Sequence, residues 1–483
     1  MGTRRQTGSV ALHLVQAGLA VLATLLLGGC ISAPPAPLDA SQSAQRLTAR
    51  SLQDPVVGEA LAKAGLPAVQ PGERAWTLDA LTVAAWMLRP EVAVAAADIS
   101  TSTAAQRIAA QLPNPTLSLG PGYLVRNANH NVSPWILTTA LDFTIETGGK
   151  RGIRATQARA TTQSLRWAFA ETLWRTRQDV RRALLERELA QLGLTLAEQE
   201  AALRSRYADW IETEIRFGAA TQPDRLVART SLAATQAQLR TARGDLDTAD
   251  ANLANALGVV GENLPVAQLV TVDLDTLPDA DATPQATWRG WSVLNRLSVN
   301  HALADYQVAE QELRLAVARQ YPDIALGPGY SFDKGDGVIN LGIGVTLPLF
   351  HGGRAQIDQA LAQRQKAARQ FELVQAQALG EVEAALARYR SSHAAWQQSR
   401  QAEAAAASAA TAEQRRLSLG AADRGELLTA QIAASVAQRG TLDALRAAVA
   451  ALSAIEDSVQ RPVWPASGLT IDQNPAVCCG TGP

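Results

Sequence analysis

Leu119-Gly120-Pro121-Gly122-Tyr123 recurs as Leu326-Gly327-Pro328-Gly329-Tyr330, displaced by 207 residues. The two copies are not an isolated coincidence. Gly148-Gly149-Lys150-Arg151 returns as Gly352-Gly353-Arg354, displaced by 204, and Gly218-Ala219-Ala220 returns as Gly420-Ala421-Ala422, displaced by 202. Between these landmarks the same order of parts is written twice: an Ala-rich helical run, a pair of strands, a Gly-Gly-basic turn, a very long helix, a Gly-Ala-Ala turn and a return helix. The chain is an internal duplication, and its 483 residues are explained by one unit used twice rather than by two unrelated domains.

The strands carry the functional information. Leu137, Leu141, Phe143 and Ile145, with Thr139 among them, share one face, while Thr138, Ala140, Asp142, Thr144 and Glu146 share the other. In the second copy Ile339, Leu341, Ile343, Val345, Leu347 and Leu349 alternate with Asn340, Gly342, Gly344, Thr346 and Pro348, about the 9–11 residues that a tilted strand needs to cross a bilayer. A strand lying half-buried on a water-soluble core alternates in the same way. Tyr123, Trp135 and Tyr330 near the strand ends, where aromatic belts lie, favour the membrane. Two hairpins make four strands, too few to close a barrel, and an open edge in lipid strands backbone groups at several kcal/mol each. The strands are therefore expected to close with copies of the same chain, and three copies bring twelve.

The helical stretches read as rods. After Gly149 the pattern runs to about Phe217, with Leu185, Leu189, Leu192, Leu196 and Leu203 along one seam. Leu232, Leu239, Leu246 and Leu253 repeat every seven residues on the return. In the second copy Ile357, Leu361, Ala368, Phe371, Ala378, Val382, Ala385 and Tyr389 play the same part.

At the start, Arg4 and Arg5 precede an apolar run, Leu19 to Leu27, that ends in Leu27-Gly28-Gly29-Cys30. This is a secretory signal, and its ending looks like a bacterial lipobox in which Cys30 takes a lipid. Ile31 after the cysteine favours the outer membrane by resemblance to lipoprotein sorting rules. Residues 32 to 71, rich in Pro, Ala, Ser and Gln, read as a tether with little fixed structure. Cys478 and Cys479 are neighbours in a Pro/Gly tail and cannot staple distant parts of a fold. The predicted organisation is a signal peptide over 1–29, a lipidated tether over 30–75, a first repeat over 76–260 with its hairpin at about 115–147, and a linker over 261–286. A second repeat follows over 287–458 with its hairpin at about 322–350, then a flexible tail over 459–483.

A formal net charge of −1 with 18% charged residues provides no basic field for nucleic acid. His13, His130, His301, His351 and His393 are scattered without ligand spacing, so no metal site and no cofactor are expected; His130, among Asn127, Asn129 and Asn131, is expected on an external loop. No nucleophile–base pair or phosphate loop stands out, and the chain is not expected to be an enzyme.

Signal, lipobox, duplicated hairpins and rods together resemble a TolC-type outer membrane factor from about Thr77 to Ile455. Ile145-Glu146-Thr147-Gly148-Gly149-Lys150-Arg151 is similar to CzcC-like members that serve heavy-metal efflux, and Leu347-Pro348-Leu349-Phe350 fits the family's second hairpin exit. The resemblance implies a mixed α/β membrane protein. A homotrimer would complete a transmembrane β-barrel continuous with a long antiparallel α-helical coiled-coil tunnel, docked through a periplasmic adaptor onto an inner-membrane RND-type pump.

By the same resemblance, the family's gate aspartate maps onto Glu426, six residues after Gly420, with the next ring aspartate replaced by Thr429. Asp224, six residues after Gly218, is its first-repeat counterpart. Each carboxylate also stands where it caps a helix. Arg424, Arg225 and Asp423 are candidates for ion pairs that hold the mouth closed, with ordinary surface pairing as the alternative reading. The expected function is a passive outer membrane exit duct, its cargo heavy-metal cations. Drug efflux and type I secretion are alternatives, and a structural periplasmic coiled-coil lipoprotein is the rival of another class.

Overall fold

The computed structural model describes residues 33–67, 69, 72, 75–125, 133–333, 336–465 and 469. Cys30, His13, His130, Cys478 and Cys479 lie outside the described residues. The chain divides into two units, residues 1–49 and 50–483. In the first, helix α1 (Ala40–Thr48) begins at Asp39, whose carboxylate accepts the Ser41 N–H at 2.8 Å.

The second unit holds the duplication. Its elements are α2 (Pro55–Lys63), α3 (Leu78–Leu88), α4 (Pro90–Ala109), β1 (Thr116–Tyr123), β2 (Trp135–Ile145), α5 (Lys150–Arg216) and α6 (Gln222–Leu257). After three short 3₁₀ turns come α7 (Gln285–Gly290), a π turn (Trp291–Asn295), α8 (Leu297–Ala318), β3 (Ile324–Asp333), β4 (Asp336–Val345), α9 (Arg354–Ser418) and α10 (Arg424–Val459). The long members have 67 and 65 residues, and at about 1.5 Å per residue each runs on the order of 100 Å. α5 pairs with α6, α9 pairs with α10, and α5 touches α10, so the two rods lie side by side.

The repeats match down to single ion pairs. The residue before each short helix is held out of the α region: Arg89, forced there by Pro90, binds Asp179 at 2.9 Å, and Arg296 binds Glu381. The heptad seams are buried where the rods thicken: Leu185, Leu189, Leu253, Val382 and Tyr389 are core residues, while Leu232, Leu239 and Leu246 are half-buried and Leu192 turns outward. α3 is buried on nearly every side, its Trp86 indole donating to the Leu173 carbonyl at 3.0 Å.

Two stretches depart from the expectation of loose chain. The predicted tether contains α1 and α2, and Leu52, Val57 and Leu61 join the core around Leu81, Phe169 and Leu257. The local cause is Asp54-Pro55 at a helix start followed by an apolar stripe Val57, Ala60, Leu61, which composition alone hides. The predicted flexible tail begins with Arg461–Pro465 packed on the rods. There the Val463 and Trp464 N–H groups both donate to the fully buried Glu456 carboxylate at 2.7 Å. The same carboxylate takes Arg177 at 3.4 Å, Arg181 at 3.2 Å and Gln178 at 3.1 Å. Burial pushes the Arg181 guanidinium below its usual value, Glu456 pulls it back up, and the neighbouring Arg177 charge pushes it down again.

The four strands form one antiparallel sheet in the order β1-β2-β3-β4. Register puts Leu117, Leu119 and Tyr123 beside Leu141, Thr139 and Trp135, then Phe143 and Ile145 beside Leu326 and Ile324, then these beside Ile343 and Val345. One face of the sheet is thus continuously apolar and exposed: Leu119 is 59% exposed, Leu341 66% and Ile339 87%. Tyr123 and Trp135 meet edge-to-face at 5.0 Å. The opposite face carries Asp142, Ser118, Asn340 and glycines. One of these is required, since a Cβ on Gly329 would lie 2.7 Å from the Thr139 carbonyl oxygen. β4 ends at Val345, so Leu347 and Leu349, which continue the alternation in the sequence, lie past the strand.

No single helix among the described residues is long and apolar enough to cross a membrane. The bent pair α3–α4 passes by length and composition, yet α3 is interior to the fold.

Candidate functional site

The rods turn at two equivalent tips. α5 ends at Arg216 and α9 at Ser418, and in each the capping residue, Phe217 or Leu419, is followed by a glycine with positive φ, Gly218 at +73° and Gly420 at +71°. That conformation lets the following amide fold back: Ala219 N–H reaches the Glu214 carbonyl and Ala421 N–H the Arg416 carbonyl, both at 2.8 Å. An L side chain at either position would strain the turn.

Asp224 and Glu426 both sit at the third position of the returning helix and both close a capping box. Asp224 accepts from Thr221 N at 2.8 Å and from its hydroxyl at 2.5 Å. Glu426 accepts from Asp423 N at 3.1 Å while its own N–H donates to Asp423 Oδ1 at 2.8 Å. The Thr221 hydroxyl and N–H hold the Asp224 carboxyl below the usual carboxylate range. Asp423 is therefore a capping residue. Arg225 is drawn to Glu212 at 3.7 Å and to Gln222. Arg424 is exposed and makes no hydrogen bond or ion pair among the described residues, and Thr429 is exposed beside Glu426.

The tips are joined by a contact that sequence reading missed. Gly425, in the first turn of α10, is buried against Trp210 of α5, and a Cβ built there would fall 2.1 Å from Trp210 Cη2. Glycine inside a helix costs about 1 kcal/mol, and that was the available signal. Around this contact lies an open cleft of about 460 Å³ lined by Tyr207, Trp210, Glu413, Asp423, Glu426 and Thr429. Arg416 neutralises part of its acidity, holding both Glu413 oxygens at 2.8 and 2.9 Å and bonding the Ala421 carbonyl at 3.0 Å.

At the opposite end of α5, the Gly-Gly-Lys-Arg stretch has a local task. Lys150 is buried, and its ammonium bonds Asp323 at 2.7 Å and the Tyr321 carbonyl at 2.6 Å; Thr147 N–H adds a bond to Asp323 at 3.0 Å. Glu146 is paired with Arg154 of α5. The Lys150 and Thr147 contacts tie the exit of the first hairpin to the entrance of the second. Among the described residues, no group of three or more His, Cys, Asp or Glu could hold a metal ion. His351 is exposed, His393 stacks between Tyr389 and Trp396, and His301 lies between Glu171 and Asp305.

A duplicated hairpin with one apolar and one polar face, carried on helices of more than 60 residues that each pair with a return helix of 36, matches the fold of solved outer membrane channels. The chain belongs to the outer membrane efflux protein family, whose model matches residues 82–259 and 292–459, one stretch in each repeat. Similar structures include CusC (18% identity, TM-score 0.65, covering 90% of this chain and 100% of that one). OprN is similar too (17% identity, TM-score 0.66, 90% and 99%), as is VceC of Vibrio cholerae (20% identity, TM-score 0.63, 79% and 95%). Among curated relatives, outer membrane efflux protein BepC of Brucella suis biovar 1 (strain 1330) is 26% identical over 209 residues, 41% of this chain; the aligned part spans about half of BepC, 46%. Family and neighbours are channel proteins rather than enzymes.

Proposed function

We propose that the chain is one subunit of a homotrimeric outer membrane duct through which solutes leave passively after delivery by a periplasmic adaptor and an inner-membrane RND-type pump. The observation that carries this reading is the sheet. Four strands with a continuous exposed apolar face, a polar glycine-lined opposite face and two unpaired edges are the wall of a barrel that a single chain cannot close. Three copies supply twelve strands, and the paired rods continue the wall into the periplasm. Cys30, lipidated, would tether the chain to outer membrane lipid. The tips form the mouth in this reading: Glu426, and with less weight Asp224, repeated by symmetry, concentrates negative potential that favours cations, while Arg424 is free to pair across copies. Capping and gating use the same carboxylate without conflict.

For cargo we favour heavy-metal cations, supported by the CzcC-like stretch at residues 145–151 and the acidic mouth. The efflux named in BepC supports export without a cargo. The test is cellular accumulation of zinc, cobalt, cadmium, copper and ethidium with the gene deleted and restored. Metals alone should rise on deletion and fall on restoration; a rise of the dye alone would replace metals by drugs as the cargo, and no change in either would remove the export reading.

A further inference from the structure

Four helices adjoin the sheet at its rod end, and they do so in opposite electrical senses. α4 and α8 arrive with their C-terminal ends, where Arg107 in the last turn and Arg319 at the cap are the charges that a helix dipole favours. α5 and α9 leave with their N-terminal ends, where the favoured charge is negative. At the far tips of the rods that rule is kept: Asp224 and Glu426 stand in the first turns of α6 and α10 and close capping boxes. Beneath the sheet it is reversed. α5 opens with Lys150 and Arg151 and α9 with Arg354, neither helix has an acid in its first turn, and the caps Gly149 and Gly353 supply no side-chain hydrogen bond.

Lys150 is explained inside the chain, buried on Asp323. Arg354, its counterpart in the second repeat, is exposed, as is Arg151, and neither side chain makes a hydrogen bond or ion pair among the described residues. Asp358, one turn into α9, is not paired with Arg354, and a base four residues ahead of an acid is the weaker order on a helix. Two exposed cations thus work against the helices that carry them unless an anion outside the chain meets them.

The surroundings say what that anion is. Beside these arginines the chain leaves the apolar sheet through Leu347, Leu349 and Phe350, 65%, 78% and 99% exposed. Tyr321, 60% exposed, lies at the other turn, its ring 3.1 Å from where a Cβ on Gly148 would stand. A surface that is apolar on one side and cationic on the next fits a membrane–water interface, where apolar groups meet acyl chains and guanidinium forks meet headgroup phosphates.

We propose that Arg151 and Arg354, one beneath each hairpin, contact the phosphates of anionic phospholipids in the leaflet on the rod side of the membrane. They hold the sheet at a fixed depth and give the chain a preference for anionic over zwitterionic lipid. The proposal rests on the membrane-wall reading of the sheet and adds the lipid that the wall selects.

The experiment uses the full chain purified in neutral detergent and titrated with dioleoylphosphatidylglycerol or dioleoylphosphatidylcholine, bound lipid being counted by native mass spectrometry. Arg240→Gln, at an exposed arginine midway along α6, is the control. The preference for phosphatidylglycerol should fall roughly fivefold in Arg151→Gln and in Arg354→Gln, and stay within about twofold of wild type in Arg240→Gln and Arg354→Lys. Raising salt from about 0.1 to about 0.5 M should shrink the wild-type preference. Without added lipid both glutamine variants should melt no lower than wild type, since each removes a cation from the disfavoured end of a helix. A lower melt would reveal a protein partner for the arginine and overturn the proposal. Equal wild-type affinity for the two lipids, or an unchanged preference in the double variant, in a chain that enters vesicles, overturns it and leaves the membrane wall standing. A chain that enters vesicles of neither lipid removes the membrane reading and this proposal together.

Discussion

Gly425 and Glu426 are neighbours with separable tasks, one steric and one electrostatic. Gly425→Ala drives a methyl into Trp210, an overpacking that should cost about 1–3 kcal/mol in thermal or denaturant unfolding; adding Trp210→Ala should recover part of it, and additive losses would show that the contact is not coupled. At Glu426, glutamine keeps the capping acceptor and loses the charge, whereas alanine loses both. Glu426→Gln should leave stability within about 0.5 kcal/mol and Glu426→Ala should lower it by about 1 kcal/mol. Cation preference in conductance should fall in both. A change of preference in alanine alone would mean that the cap, not the charge, sets the mouth. The capping place of Glu426 was legible from its spacing after Gly420; Trp210 was not, because its contact joins residues more than 200 positions apart that no local pattern links.

At the scale of elements, the α5–α10 contact is held by Glu456 and two arginines. Glu456→Ala removes the carboxylate that pairs with Arg177 and Arg181 and accepts the Val463 and Trp464 N–H groups, leaving two buried cations, which should cost about 3–5 kcal/mol and release Val463 and Trp464. Hydrogen exchange at those two amides reports the release directly; unchanged protection would contradict it.

The α5–α8 contact carries a titration. The hydrogen bond to Glu171 raises the His301 pKa, burial opposes it, the Glu171 and Asp305 charges add to the rise, and Arg175 opposes it. A raised folded-state pKa means that the contribution is complete below the unfolded value of about 6.5 and is lost as pH climbs through the folded one. Melting measured at pH 5.5 and 8.5 should therefore show a larger pH-dependent loss in wild type than in His301→Gln, and equal losses would refute the pairing. Rods, turns and strands were readable from the sequence because period, glycine and proline speak locally. The helices of the predicted tether and the packing of residues 461–465 were not, since a short amphipathic stripe and a buried carboxylate are recognisable only against the surfaces they meet.

At the scale of the whole molecule, duplication explains both what the chain completes and what it leaves open. The first hairpin's exit finds the second hairpin's entrance within the chain, through Lys150 and Asp323, and the second hairpin's exit, Leu347 to Phe350, finds no such partner among the described residues. A protein built of two similar units thereby carries one satisfied junction and one open exit. The measurement that tests the central claim most directly is current through a planar lipid bilayer holding the purified, detergent-extracted protein. The account predicts discrete cation-preferring conductance steps from an assembly of three chains, with the preference reduced in Glu426→Gln. A protein that inserts nothing, gives no steps and leaves detergent as a soluble single chain would contradict it.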